Sequence, residues 1–254
     1  MTTLTASLSL PTLALLPTSE LLLALLIVII AYLVRGITGF GSGLIAIPLL
    51  ALLLPVTLVV PLIGLLDYTA SLFHGLHHRQ AVVWREIFTL LPFTITGVVT
   101  ALYLFHLLDP LLLRKFLGGF VLLYAIYSLS SANPGAGSRF WVVPAGLLGG
   151  MVGTLFGTGG PFYVIYLRLR GLGKLPFRAT VATIFLLDGS SRIIGYTLTG
   201  VYNQETMLLL LLAFPLMVIA LYLGGRIHSN ASPLFFRRTI GIVLLGSGSS
   251  LLLS

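Results

Sequence analysis

Charged residues and cysteine are what this sequence has least of. Only 8% of its 254 residues are charged, whereas a soluble domain carries roughly 25%. Because so few polar side chains cannot cover a water-soluble particle, the sequence predicts an integral membrane protein. It has no cysteine, which excludes disulfides and thiolate chemistry. The five histidines lack the spacing of a metal site, so no metal ligand is predicted.

Motifs of enzymes and nucleotide-binding proteins are also missing. The sequence has no Walker loop, no Gly-x-Ser-x-Gly elbow and no His-Glu-x-x-His helix. An intramembrane aspartyl protease needs a Gly-x-Gly-Asp type environment, which neither Asp67 nor Asp188 has. We therefore predict no enzyme, no catalytic residue and no cofactor. The net charge of +8 comes from short loops, where basic residues orient membrane proteins, so nucleic acid is not an expected partner.

Long apolar stretches make up most of what is present. They do not alternate every second residue as lipid-facing strands do, so an all-α protein is predicted rather than a barrel. Apolar helices are expected at residues 21–34, 44–54, 56–73, 87–108, 116–129, 140–152, 162–167, 179–199, 206–223 and 239–253. At about 1.5 Å per residue, the first two are shorter than the roughly 30 Å hydrocarbon core. Neither is expected to span comfortably alone.

Two glycine-rich breaks interrupt these apolar runs. The first is RGITGFGSG at residues 35–43, and the second is GTLFGTGGP at residues 153–161. Lipid cannot satisfy the backbone groups that such a break frees, so it must face protein or a water-filled cavity. Each break is predicted to tip a broken or re-entrant helical hairpin. Two breaks in corresponding places of two halves indicate a transporter binding site.

Further matches predict two homologous halves. The run before Asp67 (IGLLD) resembles the run before Asp188 (IFLLD), and PLLLRK at residues 110–115 resembles PLFFRR at 233–238. We assign one membrane domain, residues 1–254, with a first repeat at 20–131, a linker at 132–139 and a second repeat at 140–254. If each hairpin is re-entrant, each half adds three crossings and the halves are inverted. The alternative counts all ten apolar pieces, or eight after merging, as crossings, and the eight-crossing count gives parallel halves.

The glycine breaks are predicted to hold a small anion. Helix ends that open into a cavity present N–H groups and the positive end of the helix dipole. Side chains in the breaks add hydroxyl, guanidinium and aromatic groups. The predicted substrate-binding residues are Arg35, Thr38, Gly39, Phe40, Gly41, Ser42, Gly43, Gly157, Thr158, Gly159 and Gly160. The alternative role of such glycines is close helix packing, which Gly149 and Gly153 fit better.

Charged residues inside apolar segments are costly and usually functional, so Asp67, Asp188 and Arg192 are assigned to coupling or gating. Asp188 and Arg192 are four residues apart and share a helix face, where they can pair. Such a pair can also serve only to neutralise itself and lock helices together. Asp67 has no basic residue four positions on, so it is paired with Arg35, protonated or exposed to water. A carboxylate that exchanges a proton suits a proton-coupled carrier.

At these residues the chain resembles the TauE/SafE family of membrane proteins, the sulfite-exporter-like group. The resemblance rests on residues 36–44 followed by PLL at 48–50, on residues 149–161, and on the aspartate-bearing segment after each. It extends from residue 21 to the end. It implies transport, without ATP, of a sulfur-containing anion such as sulfite, sulfoacetate or a related organosulfonate. Some thiosulfate-handling relatives use cysteines, which this chain lacks.

We therefore expect a multi-pass secondary carrier or facilitator in the plasma (bacterial inner) membrane, with lipid and a small anion as partners. A carrier for another small anion, such as a carboxylate, and a membrane component without transport are the alternatives. The sequence leaves open the direction of transport, proton or sodium as the coupling ion, and whether the protein is a homo-oligomer.

Overall fold

A computed structural model describes residues 17–38, 41–75, 79–129, 137–227 and 233–253, without the side chains of residues 38, 73–75, 79, 174 and 233–240. Within these ranges the chain is helical and has no strand. The α-helices there are α1 (Thr18–Thr38), α2 (Ser42–Leu50), α3 (Val56–Gly75), α4 (Trp84–Leu107), α5 (Pro110–Leu129), α6 (Val142–Phe156), α7 (Gly160–Leu169), α8 (Lys174–Leu198), α9 (Gln204–Arg226) and α10 (Pro233–Leu253). Short 3₁₀ turns at Arg79–Ala81 and Arg139–Trp141 precede α4 and α6.

Several helices are long and apolar enough to cross a bilayer. In the described part of the chain they are Thr18–Ile37, Trp84–Leu107, Pro110–Leu129, Arg139–Phe156 and Gln204–Arg226, with shorter apolar helices at Val56–Leu72 and Gly241–Leu253. Many leucines, isoleucines and phenylalanines on these helices are exposed, as a lipid-facing surface requires. The prediction of an all-helical, multi-pass membrane protein is confirmed.

The first helix corrects the predicted length. Residues 21–34 were expected to form a helix too short to cross, but α1 has 21 residues, about 31 Å at 1.5 Å per residue. The helix continues through Arg35, whose charge finds partners across the cavity described below. It also continues through Gly36, which packs against α9: a Cβ added there would lie 2.8 Å from the Cα of Gly224. This glycine serves close helix packing rather than a break.

Both breaks are narrower than the sequence suggested. Residues 153–156 belong to α6, so the second break shrinks to residues 157–159. The first begins after α1 and ends at Gly41; its residues Gly39 and Phe40, and the side chain of Thr38, lie outside the described residues. Gly41 (φ 99°) and Gly157 (φ 64°) both have left-handed backbones, which an L side chain rarely adopts. Glycine is therefore needed at these two positions.

Segments predicted as loops extend two of the helices. Residues 110–115, with their basic pair, form the first turns of α5 rather than a loop, because the Asp109 carboxylate accepts the N–H of Leu111 at 3.1 Å and helps start the helix. Arg85 and Glu86 likewise lie in the first turn of α4. Residues 132–136 of the predicted linker lie outside the described residues, and the division into two repeats stays a prediction.

Helix packing joins the two parts of the chain throughout. Helix α1 packs against α9, α4 against α6, α5 against α10, and α3 against α8. Glycines allow close approach in several of these pairs. Gly36 of α1 lies against Gly224 of α9, and Gly146 of α6 lies against Phe93 of α4. Since α3 and α8 carry Asp67 and Asp188, their contact brings the two aspartates to the centre of the molecule.

Candidate functional site

A cavity of about 100 Å³ lies where the two glycine breaks meet. Helices α2 and α7 both start at its edge, and neither has a side-chain cap at its N-terminus. The predicted site residues that line it are Arg35, Gly41, Gly43, Asp67, Gly157, Thr158, Gly159, Gly160, Asp188 and Arg192. Gly41 and Gly159, which are 118 positions apart in the sequence, therefore line the same cavity.

Asp67 of α3 is held by three side chains from α1 and α2. Its Oδ1 accepts the hydroxyl of Tyr32 at 2.7 Å, the hydroxyl of Ser42 at 2.6 Å and an N–H from Nη1 of Arg35 at 2.7 Å. Of the three states considered for Asp67, pairing with Arg35 is the one observed. The carboxylate nevertheless stays in contact with the cavity, since its side chain is 22% exposed.

Both terminal nitrogens of Arg35 have partners in the first half. Besides Asp67 Oδ1, Nη1 donates to Ser42 Oγ at 2.8 Å; Nη2 donates to Ser71 Oγ at 2.7 Å and to the carbonyl of Asp67 at 3.1 Å. Each terminal nitrogen therefore lies close to two acceptors of the first half. Ser42 is completely buried between Arg35 and Asp67. Its hydroxyl serves this network.

A second pair lies in α8. Arg192 Nη2 contacts Asp188 Oδ2 at 2.9 Å, so the pairing predicted from their spacing is confirmed. Tyr163 of α7 donates its hydroxyl to Asp188 Oδ1 at 3.1 Å, and Arg192 Nη1 donates to the carbonyl of Gly153 at 2.8 Å. The side chain of Asp188 is only 2% exposed. This pair therefore joins α8 to both helices that flank the second break.

Three buried polar atoms near the second break have no hydrogen-bond partner among the described residues. They are Thr154 Oγ1, Thr158 Oγ1 and Arg192 Nε. A buried donor left unpaired costs about 1–3 kcal/mol, and such atoms in a native protein need an explanation. Thr158 and Arg192 line the cavity, so a polar occupant of the cavity could supply one if these side chains turn toward it.

Formal charge in the cavity cancels. Arg35 and Arg192 are each paired with an aspartate. The N-terminal ends of α2 and α7, which are positive ends of helix dipoles, also lie at the edge of the cavity. The arrangement can therefore take up a small anion without placing it next to an unpaired aspartate.

Aromatic residues that the sequence did not single out complete the wall. Tyr68, Tyr124 and Phe185 line the cavity. Phe156 and Phe162, which flank the second break, stack on Phe120 of α5 with ring centroids 6.0 and 6.2 Å apart. Helical spacing could have indicated some of the missed polar partners, because Tyr32 lies three residues before Arg35, and Ser71 four after Asp67.

A separate polar cluster surrounds Glu86, which is buried in the first turn of α4. The hydroxyl of Tyr166 donates to it, Arg170 Nε lies 3.2 Å away and Arg139 Nη2 lies 3.8 Å away. The sequence indicated only a polar loop here. The cluster ties the end of α7 to the start of α4, at a distance from the cavity, whose lining does not include it.

Comparison with known proteins gives consistent matches. The chain is 28% identical over 233 residues to a probable sulfite/organosulfonate exporter TauE of Cupriavidus necator, covering 86% of this chain and 88% of the relative. It is 31% identical over 195 residues to a probable inner membrane transporter protein TsaS of Comamonas testosteroni, covering 75% and 81%. No solved structure matches. The family described as sulfite exporter TauE/SafE matches residues 23–251, so the chain belongs to the TauE/SafE family of membrane transporters, as its glycine breaks predicted.

Proposed function

We propose that this protein is a secondary carrier or facilitator for a small sulfur-containing anion, such as sulfite, sulfoacetate or a related organosulfonate, bound between the two glycine breaks. The cavity carries the proposal, because two helix N-termini without side-chain caps start at its edge while its arginines and aspartates balance. The two relatives are named as a probable sulfite/organosulfonate exporter and a probable inner membrane transporter, which supports the substrate class and a location in the inner membrane.

Binding of the anion would use the residues at the breaks. Oxyanions bind well at helix N-termini, where N–H groups and the dipole act together. In this protein Gly41 and Gly43 lie at the start of α2, and Gly159 and Gly160 at the start of α7. Thr158 adds a buried hydroxyl for which the described part of the chain offers no partner. None of these backbone and hydroxyl groups carries a formal charge.

The cavity volume favours a small ion. Its 100 Å³ is well below the roughly 300–1,000 Å³ typical of sites for drug-sized ligands. A cavity of this volume suits sulfite and short organosulfonates, whereas a sulfonate with a long chain would need the aromatic wall to move.

Coupling to a proton would use Asp67 rather than Asp188. Both aspartates are paired with an arginine, but the side chain of Asp67 is 22% exposed and that of Asp188 only 2%. A group that exchanges protons with the cavity must be reachable from it. Asp188 and Arg192 would then gate, because they link α8 to Gly153 and Tyr163 on either side of the second break.

One hydrogen bond and the length of α7 support a re-entrant hairpin in the second half. The N–H of Gly137, just before α6, donates to the carbonyl of Leu169 at the end of α7 at 3.2 Å. The chain thus returns to the side where it entered. Helix α7 has ten residues, about 15 Å, or half of a roughly 30 Å hydrocarbon core. Helix α7 would therefore cross only part of the bilayer, as the returning arm of a hairpin does.

The directions of α4 and α8 support inverted halves. Their starts are joined by the hydrogen bond from the N–H of Val83 to Thr180 Oγ1 at 3.0 Å, and their ends by His106 Nε2 and the carbonyl of Thr199 at 3.3 Å. These helices therefore run parallel. Helix α8 occupies the place in its half that α3 has in the first. Since α3 and α4 are successive crossings, parallel halves would make α8 antiparallel to α4.

Flux through proteoliposomes tests the function. Purified protein is reconstituted, and uptake of labelled sulfite, sulfoacetate and acetate is measured with no gradient, with a pH gradient and with a sodium gradient. We expect saturable uptake of the sulfur anions, stimulated by the pH gradient. Uptake of acetate alone would replace the substrate with a carboxylate, and stimulation by sodium alone would replace the coupling ion. Absence of any flux would indicate a component that does not transport.

Single-cysteine labelling tests the topology, since the chain has no cysteine of its own. Gln80→Cys lies in the turn before α4, and Gly173→Cys lies just before α8; both positions are exposed. Inverted halves with re-entrant hairpins place both on the same side of the membrane. Labelling by an impermeant maleimide from opposite sides would favour the eight-crossing arrangement with parallel halves.

A further inference from the structure

The two arginines of the cavity differ in how many of their donors are occupied. Arg35 donates from its two terminal nitrogens to four acceptors, on Ser42, Ser71, the Asp67 carboxylate and the Asp67 carbonyl. Both terminal nitrogens are thus engaged by groups of the first half. Arg35 is thus built into the wall of the first half.

Arg192 is occupied differently. Its Nη2 contacts Asp188 and its Nη1 donates to the carbonyl of Gly153, while its Nε is buried and has no partner among the described residues. A guanidinium has five N–H donors, so Arg192 has N–H groups that can donate to an oxyanion while its contact with Asp188 is kept. Its side chain is also more exposed than that of Arg35, 15% against 9%.

Two further polar atoms that lack a partner in the described part of the chain lie near the second break, as Arg192 does. Thr158 is 3% exposed and Thr154 is completely buried, yet neither hydroxyl has a partner among the described residues. Thr158 lies in the second break, and Arg192 contacts the helix that ends at this break. No atom of Arg35, Ser42 or Asp67 is left in this condition. The donors that a ligand could satisfy therefore belong to the second half.

We infer that Arg192, with the hydroxyl of Thr158, is the arginine that contacts the transported anion, and that Arg35 is a positioning residue that holds Asp67. This inference rests on the proposed function, since it assigns the ligands of the same cavity. It makes the site asymmetric: the second break binds, and the first half supplies the accessible carboxylate.

Matched lysine variants test the assignment. Arg192→Lys and Arg35→Lys both keep the positive charge but lose the planar set of donors. Concentration-dependent uptake of labelled sulfite is measured in proteoliposomes of the full chain. We expect Arg192→Lys to raise the half-saturation concentration about tenfold or more. Arg35→Lys should lower the maximal rate, because Asp67 is misplaced, and leave the half-saturation concentration within about twofold. A tenfold change in half-saturation concentration corresponds to about 1.4 kcal/mol of binding free energy.

The opposite pattern overturns the inference: a tenfold higher half-saturation concentration in Arg35→Lys with an unchanged value in Arg192→Lys. Wild-type protein without saturable sulfite uptake would refute the proposed function instead, so the two failures are distinguishable. If Arg192→Lys does not fold, as judged by size-exclusion profile and thermal unfolding in detergent, Thr158→Val decides. Its hydroxyl has no partner to lose, and an unchanged half-saturation concentration in that variant would overturn the inference.

Discussion

Gly43, in the first turn of α2, lies against the backbone carbonyl of Gly157 in the other break. A Cβ added to Gly43 would come within 2.9 Å of that oxygen and 3.2 Å of Asp67 Oδ2. Real Cβ atoms almost never approach so closely, and a backbone carbonyl cannot swing aside as a flexible side chain can. The two breaks therefore meet only because no side chain stands between them.

Gly43→Ala should separate the breaks and reduce transport. The added methyl group must displace either the second break or the Asp67 carboxylate, and overpacking of this kind costs about 1–3 kcal/mol. We expect a lower maximal rate of sulfite uptake and a lower unfolding temperature in detergent. Gly119→Ala on α5 is the control, because a Cβ there meets nothing within 4 Å. Equal uptake by Gly43→Ala and wild type would contradict a functional contact between the breaks.

Asp67→Asn should remove the pH dependence of transport. The amide oxygen can still accept from Tyr32, Arg35 and Ser42, whereas the exchangeable proton and the counter-charge of Arg35 are lost. Sulfoacetate is the substrate of choice, because it stays fully ionised near neutral pH and sulfite does not.

Asp109→Asn, which keeps the helix start of α5, is the matched control for Asp67→Asn. It should show wild-type pH dependence of sulfoacetate uptake. If Asp67→Asn retains that dependence as well, the coupling proton is bound elsewhere.

Gly36→Ala should destabilise the α1–α9 pair without touching the cavity. Its Cβ would meet the carbonyl of Leu221 at 2.5 Å and the Cα of Gly224 at 2.8 Å, so the helices must move apart. A drop of several degrees in unfolding temperature is expected. Gly225→Ala, on an exposed position of α9 where a Cβ meets nothing within 4 Å, should be neutral. Equal unfolding temperatures for both variants would exclude tight packing at Gly36.

Phe185→Ala should widen the range of substrates. Phe185 lines the cavity, and its ring lies 3.0 Å from where a Cβ on Gly160 would be. Removing the ring enlarges the chamber at the second break. Uptake of longer organosulfonates should rise relative to sulfite in a competition assay. Phe88→Ala on the exposed face of α4 should keep the wild-type ratio, and an unchanged ratio in Phe185→Ala would place the size limit elsewhere.

Sequence periodicity and composition predicted the helices well because long apolar runs determine them in a bilayer. The main error concerned α1. Its continuation through Arg35 depends on Asp67, 32 residues away, and no local pattern reports such a partner. The same cause explains the missed Glu86 cluster, whose partners Arg139, Tyr166 and Arg170 come from distant segments.

The site was predictable where it depends on glycines and on charged residues. It was less predictable where it depends on which hydrogen-bond partner each polar atom has. The glycine breaks and the Asp188–Arg192 pair could be recognised from spacing alone. That Ser42 would be enclosed between Arg35 and Asp67, or that Thr158 would keep an unused hydroxyl, requires knowledge of which atoms meet in three dimensions.

The packing of α1 against α9 has a consequence for biogenesis. Helix α1 leaves the ribosome early, but its partner is synthesised only after most of the polypeptide has been inserted. Until then the glycine face around Gly36 is covered by lipid or by the insertion machinery. Truncation before Gln204 would leave that face permanently without its partner, and quality-control proteases would have a ready means of recognising unfinished chains.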